Sequence, residues 1–142
     1  MQQNYTLVFD TTGINWVVLA ELFERAPLGK RDPEQLRRAF EKSYLTCFAF
    51  DRKKLVGSGR MISDGEYYAN IYDVVVLPEY QGKGVGRKIM DALLEKQKLE
   101  FILLTSTVGK EPFYRKLGFR HHKTAMAMYR GTKTSRAEDY LE

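Results

Sequence analysis

The sequence predicts an α/β fold in a single domain, with a sheet of six or seven strands and about four helices. Three observations lead there. Ile71 to Leu77 is an apolar, β-branched run broken only by Tyr72 and Asp73, which reads as a strand. Directly after it, Gly82, Gly84 and Gly86 open into Ile89, Met90, Leu93 and Leu94, which recur at helical spacing. Upstream, Trp16, Leu19, Leu22 and Phe23 share one helical face, and strand-like runs flank the Asp51-Arg-Lys-Lys54 turn.

The elements follow in order. Residues 4–9 form a first strand, and Thr11, Thr12 or Asn15 caps a helix running to Ala26. The stretch Pro27-Leu-Gly-Lys-Arg-Asp32 is rich in turn residues. Asp32 and Pro33 read as the cap and first residue of a second helix, ending near Ser43. Strands are expected over 44–50, 55–62 and 67–77, with Ser63-Asp-Gly65 turning into the last of these. The main helix covers about 84–98, a fifth strand 101–105, and a short helix about 111–117. Two further strands are expected near 119–122 and 125–130, and residues 131–142 read as a loose polar tail. The order is β-α-α-β-β-β-α-β-α-β-β.

Composition bounds the function. With 142 residues, 44% hydrophobic and 29% charged, the chain can bury a sizeable core. It has no apolar run of transmembrane length and no charged-then-apolar leader at its start, so no membrane partner is expected. The single cysteine, Cys47, excludes an internal disulfide and suggests a reducing, cytoplasmic setting. Its neighbours Leu45, Phe48 and Phe50 point to a buried thiol rather than a nucleophile. The net charge of +5 admits nucleic acid as a partner, but it is dispersed, and the aromatics occupy core positions instead of interleaving with Lys and Arg. Nucleic acid is therefore not expected. No metal is expected either, since His121 and His122 lack ligand company.

The glycine-rich turn carries the chemistry. A helix start exposes unpaired backbone N–H groups and the positive end of the dipole. Glycines let an anion approach those groups, and Arg87 and Lys88 add charge, so the turn reads as a pyrophosphate cradle. Its glycine spacing is neither the dinucleotide fingerprint nor a P-loop.

Gln81-Gly82-Lys83-Gly84-Val85-Gly86 matches Q/R-x-x-G-x-G/A after a strand ending Val75-Val76-Leu77-Pro78. It resembles the acetyl-CoA loop of the GNAT superfamily of acyl-CoA-dependent N-acetyltransferases. Downstream, Pro112-Phe-Tyr-Arg-Lys-Leu-Gly-Phe119 resembles that superfamily's F-Y-x-K-x-G-F signature. The resemblance covers roughly residues 4 to 130. It implies a GNAT fold, with a central mixed, mostly antiparallel sheet flanked by helices. It also implies a transferase that moves an acetyl group from acetyl-CoA, as co-substrate, to a primary amine of a small molecule or peptide by direct attack.

The resemblance further implies roles. Val74, Val75 and Val76 would pair with the pantetheine arm. Gln81, Gly82, Lys83, Gly84, Val85, Gly86 and Arg87 would hold the pyrophosphate, with Thr107 and Phe113 also on the cofactor side. Tyr114 stands where the family places the hydroxyl that protonates the departing thiolate. Asp73, the lone carboxylate within its apolar strand, is the base that activates the amine or a cap on the backbone. Tyr72 and Asn70, together with Lys30 and Arg31 in the first interhelical loop, are the acceptor-side residues. Trp16, Tyr67, Tyr68 and Tyr72 hint at an aromatic or sugar ring on the acceptor. Two positions depart from the family: Thr107 and Lys110 stand where Asn and Ala are frequent. The alternatives are a catalytically silent acetyl-CoA-binding module and a basic nucleic-acid-binding protein. The assembly state stays open, with a homodimer among the options.

Overall fold

The structure is a computed structural model that describes residues 4–142. It divides into two compact units, one reaching to Leu104 and the other running from Thr105 to Glu142.

The first unit is built on one five-stranded sheet in sequential order. Its strands are β1 (Thr6–Val8), β2 (Leu45–Asp51), β3 (Lys54–Ser63), β4 (Tyr68–Val76) and β5 (Phe101–Leu104). The first four pair antiparallel and β5 joins β4 in parallel. The parallel step is possible because α3 (Val85–Glu95) supplies the crossover between them.

Helices α1 (Trp16–Arg25) and α2 (Pro33–Glu41) start where the sequence predicts. Asn15 Oδ1 accepts from the N–H groups of Val17 and Val18 at 3.1 and 3.2 Å. Asp32 Oδ2 accepts from Gln35 at 2.9 Å, with Pro33 in the first turn. Their apolar faces bury Leu19, Leu22, Phe23, Leu36 and Phe40, and Phe40 lies 5.4 Å from Phe48 of β2, centroid to centroid. On α3, Val85, Ile89, Met90 and Leu93 are buried. That helix sits very close to β3: a Cβ added to Gly59 would meet Ile89 Cγ2 at 2.8 Å. The missing side chain is what allows the approach.

The ladder between β3 and β4 slips between Ser58 and Arg60, where Ser58 faces Val75 but Arg60 faces Tyr72. Asp73 and Val74 thus oppose the single residue Gly59, which is a β-bulge. Asp73 takes φ +57° there, a left-handed conformation that Asp tolerates better than most residues.

The second unit holds α4 (Glu111–Lys116), a 3₁₀ segment (Gly131–Arg136) and α5 (Ala137–Tyr140). One expectation is corrected here. The sheet has five strands rather than six or seven, because residues 119–122 and 125–130 join no ladder among the described residues. Met126 and Met128 are 96% and 73% exposed, so the apolar alternation of that stretch is not anchored by burial. Helical turns occupy most of the 131–142 stretch, and the Tyr129 and Tyr140 rings stack at 6.4 Å.

Candidate active site

The turn between β4 and α3 begins with a 3₁₀ turn at Pro78–Tyr80. Gly82 and Gly84 follow with φ +77° and +87°, and a Cβ at either would meet nothing within 4 Å. Gly84 is the N-cap of α3 and so brings no side chain to the helix start, whereas α1 and α2 are both capped by side chains. The first backbone bond of the helix runs from Lys88 N to Gly84 O at 3.1 Å. The amides of Val85, Gly86 and Arg87 precede that bond and lie at the positive end of the dipole. A glycine-lined helix start with donors ahead of its first bond fits a pyrophosphate, Gly86 and Arg87 lying nearer the surface than the buried Val85. Gln81 points back instead, its Nε2 donating to Val76 O at 3.0 Å. Lys83 Nζ lies over the Tyr80 ring at 5.5 Å, and Arg87 pairs with Asp91 at 3.2 Å on the exposed helix surface.

The strand before the turn is open on one side. Pairing of β4 with β5 ends at Ile71–Leu104, while pairing with β3 continues to Val76–Gly57. Val74, Val75 and Val76 therefore lie where β4 has lost its neighbour on the β5 side, an edge that can take an extended ligand backbone.

Asp73 sits at the bulge with its side chain only 9% exposed. Arg60 Nε donates to its Oδ2 at 2.7 Å, and Arg31 Nη2 to its Oδ1 at 3.2 Å. Arg60 also lies over the rings of Phe40 and Tyr72, at 5.6 and 5.7 Å, and Arg31 over Phe23 at 4.9 Å. Tyr72 and Asn70 share the outward face of β4, with Asn70 Nδ2 donating to Tyr72 Oη at 3.3 Å. Lys30 is exposed in the α1–α2 loop beside Arg31. The sequence singled out Asp73 but not Arg60, which lies 13 residues away and becomes its partner only through the β3–β4 register.

In the second unit, Tyr114 is half-buried on α4 between Phe113 and Phe119, at 5.0 and 6.1 Å. Burial pushes its phenol above the usual tyrosine range, so it keeps its proton through neutral pH. Lys116 ends α4, and Gly118 takes φ +99° just beyond it. Thr107 is half-buried in the preceding loop, where its carbonyl accepts from Lys110 N at 3.1 Å and Ser106 Oγ at 2.6 Å. His121 lies 3.4 Å from Arg115 and is exposed. No group of three or more His, Cys, Asp or Glu side chains stands together as a metal site among the described residues.

A profile of the GNAT acetyltransferase domain matches residues 19–131. This chain belongs to the GNAT acetyltransferase family. Among its relatives, the uncharacterized N-acetyltransferase ycf52 of Porphyra purpurea is 34% identical over 118 residues, covering 78% of this chain and 67% of the relative. Serotonin N-acetyltransferase 2, chloroplastic, of Oryza sativa subsp. japonica is 35% identical over 130 residues, covering 84% and 65%. The chain thus spans about two thirds of the length of these relatives. Among solved structures, a GNAT-family acetyltransferase from Streptococcus pneumoniae superposes with a TM-score of 0.75 at 24% identity, covering 91% of this chain and 99% of that one. This last similarity shows the fold.

Proposed function

We propose that this GNAT protein is an N-acetyltransferase that uses acetyl-CoA as co-substrate and a primary amine as acceptor, joined in a ternary complex. The observation that carries the reading is the uncapped, glycine-lined start of α3 directly after an open strand edge. The amides of that helix start would hold the pyrophosphate, and the β4 edge at Val74 to Val76 would take the amide groups of the pantetheine arm.

The neutral amine attacks the thioester carbonyl, the C–N bond forms and the C–S bond breaks. The departing sulfur carries the negative charge, and the extra proton on nitrogen leaves to solvent. On the strength of the F-Y signature around it, Tyr114 is assigned as the hydroxyl that would serve that sulfur. Burial raises the tyrosine further above an ordinary thiol, so the phenol holds its proton more tightly than the thiolate would take it and complete transfer is uphill. Tyr114 therefore contributes mainly as a hydrogen-bond donor to developing charge.

The acceptor reading is an amine with an aromatic body. It is supported by the exposed Tyr67, Tyr68 and Tyr72 at or near β4, and by a rice relative that carries serotonin in its name. The test is to incubate the protein with acetyl-CoA and a panel of arylalkylamines, aliphatic amines, amino sugars and short peptides. Mass spectrometry of the products should show one added acetyl group on nitrogen, with arylalkylamines favoured. Transfer only to the non-aromatic amines would overturn the acceptor assignment, and no transfer to any would overturn the enzyme.

A further inference from the structure

We propose that Asp73 is a positioning residue for the acceptor amine, acting through Arg31 to hold the α1–α2 loop, and is not the group that takes the amine's proton. The proposal rests on the acetyltransferase reading above.

One buried carboxylate gathers five parts of the first unit. It stands at the bulge of β4, where a left-handed backbone turns the residue out of the alternation of its strand. One oxygen is held by Arg60 from β3, and the other by Arg31, 42 residues away in the α1–α2 loop. Arg31 in turn lies over Phe23 of α1, and Arg60 over Phe40 of α2. The charged groups facing Asp73 are these two guanidiniums, with the Ser43 hydroxyl 3.4 Å behind Arg60. Neither cation faces the other alone: the carboxylate between them offsets their repulsion.

That arrangement suits a latch better than a base. A base must accept a proton and release it in every turnover. A proton placed on either Asp73 oxygen would compete with an ion pair and loosen either the loop or the strand pair. Within the loop, few other bonds hold the backbone. Leu28 N donates to Phe23 O at 2.6 Å, and the chain then runs through Gly29, with φ +102°, to Arg31. The Asp32 cap of α2 ends the loop, and the Arg31–Asp73 pair just before it ties the adjoining Lys30 segment to β4. Losing it would leave the chemistry of the thioester untouched and spoil the placement of the acceptor.

The experiment uses the full chain, acetyl-CoA and the most reactive amine of the panel. Asp73→Asn and Arg31→Gln should each raise the acceptor KM about 10-fold while kcat stays within about threefold. The acidic limb of the pH–rate profile should stay in place in both. The double variant should be no worse than Asp73→Asn alone, since that change already breaks the contact that Arg31→Gln removes. Arg31→Lys, which keeps the charge, should recover part of the loss. Loss of kcat and of the acidic limb in Asp73→Asn, with Arg31→Gln at wild-type rates, would instead identify Asp73 as the proton acceptor and overturn the proposal. Amide hydrogen exchange gives a readout that does not need turnover: the Leu28 amide should exchange faster in both variants. Unchanged exchange there would overturn the latch. Absence of turnover in the wild type would count against the acetyltransferase reading alone.

Discussion

Arg60 Nε lies 2.7 Å from Asp73 Oδ2, and the two side chains are only 14% and 9% exposed. The pair spans the bulge that breaks the β3–β4 register, so it ties backbone geometry to side-chain charge. Asn tolerates the left-handed region about as well as Asp, so Asp73→Asn isolates the charge. It leaves the Arg60 guanidinium largely buried without its counter-charge. The expected loss is about 3 kcal/mol of folding stability, read from urea unfolding midpoints at neutral pH. A loss below about 0.5 kcal/mol would show that the pair is solvated and carries no structural load.

Gly84 is the second test position. Its φ of +87° suits glycine, and it is the N-cap of α3. Gly84→Ala should cost roughly 1 kcal/mol of stability for the backbone conformation. Gly84→Val should remove acetyl-CoA binding, measured by calorimetry, from a protein whose circular dichroism stays native. Wild-type affinity in the folded variant would move the cofactor away from this turn.

Tyr114→Phe keeps the ring contacts with Phe113 and Phe119 and removes only the hydroxyl. Turnover should fall by roughly 10²-fold with acetyl-CoA affinity unchanged. Because burial raises the phenol above its usual range, Tyr114 keeps its proton through the mildly alkaline range. The wild-type rate should therefore show no decline between neutral pH and pH 9 that Tyr114→Phe abolishes. An unaltered rate in the variant would make Tyr114 a packing residue.

Cys47 is fully buried, and burial pushes its thiol up to about 12. Thiolate is the reactive form, so the native protein should resist iodoacetamide at pH 8 and react stoichiometrically in urea. Native labelling at the rate of a free cysteine would show that β2 opens readily.

Much of this was legible because its causes are local. The caps at Asn15 and Asp32, Pro33 at a helix start, and the glycines before α3 each act within a few residues of themselves. The backbone geometry of the β4–α3 turn could be read for the same reason. Asp73 stood out as a carboxylate in an apolar strand, but its partners did not. Arg31 and Arg60 reach it through a loop and across a strand register, and period-two alternation assumes a register without bulges. The 125–130 stretch alternates as a strand does, yet a strand needs a ladder partner, and composition cannot supply one. Gly59 was silent as well: its value lies in how near Ile89 comes, which only packing reveals.

The most direct test of the central claim is the initial rate of CoA thiol release from acetyl-CoA, with and without an amine, at neutral pH. The buried Cys47 should contribute nothing to the thiol signal. Release should depend on both enzyme and amine, saturate with each substrate, and fall roughly 10²-fold in Tyr114→Phe. Tight acetyl-CoA binding with no amine-dependent release across the whole panel would contradict that claim, and would leave a protein that holds the cofactor without using it.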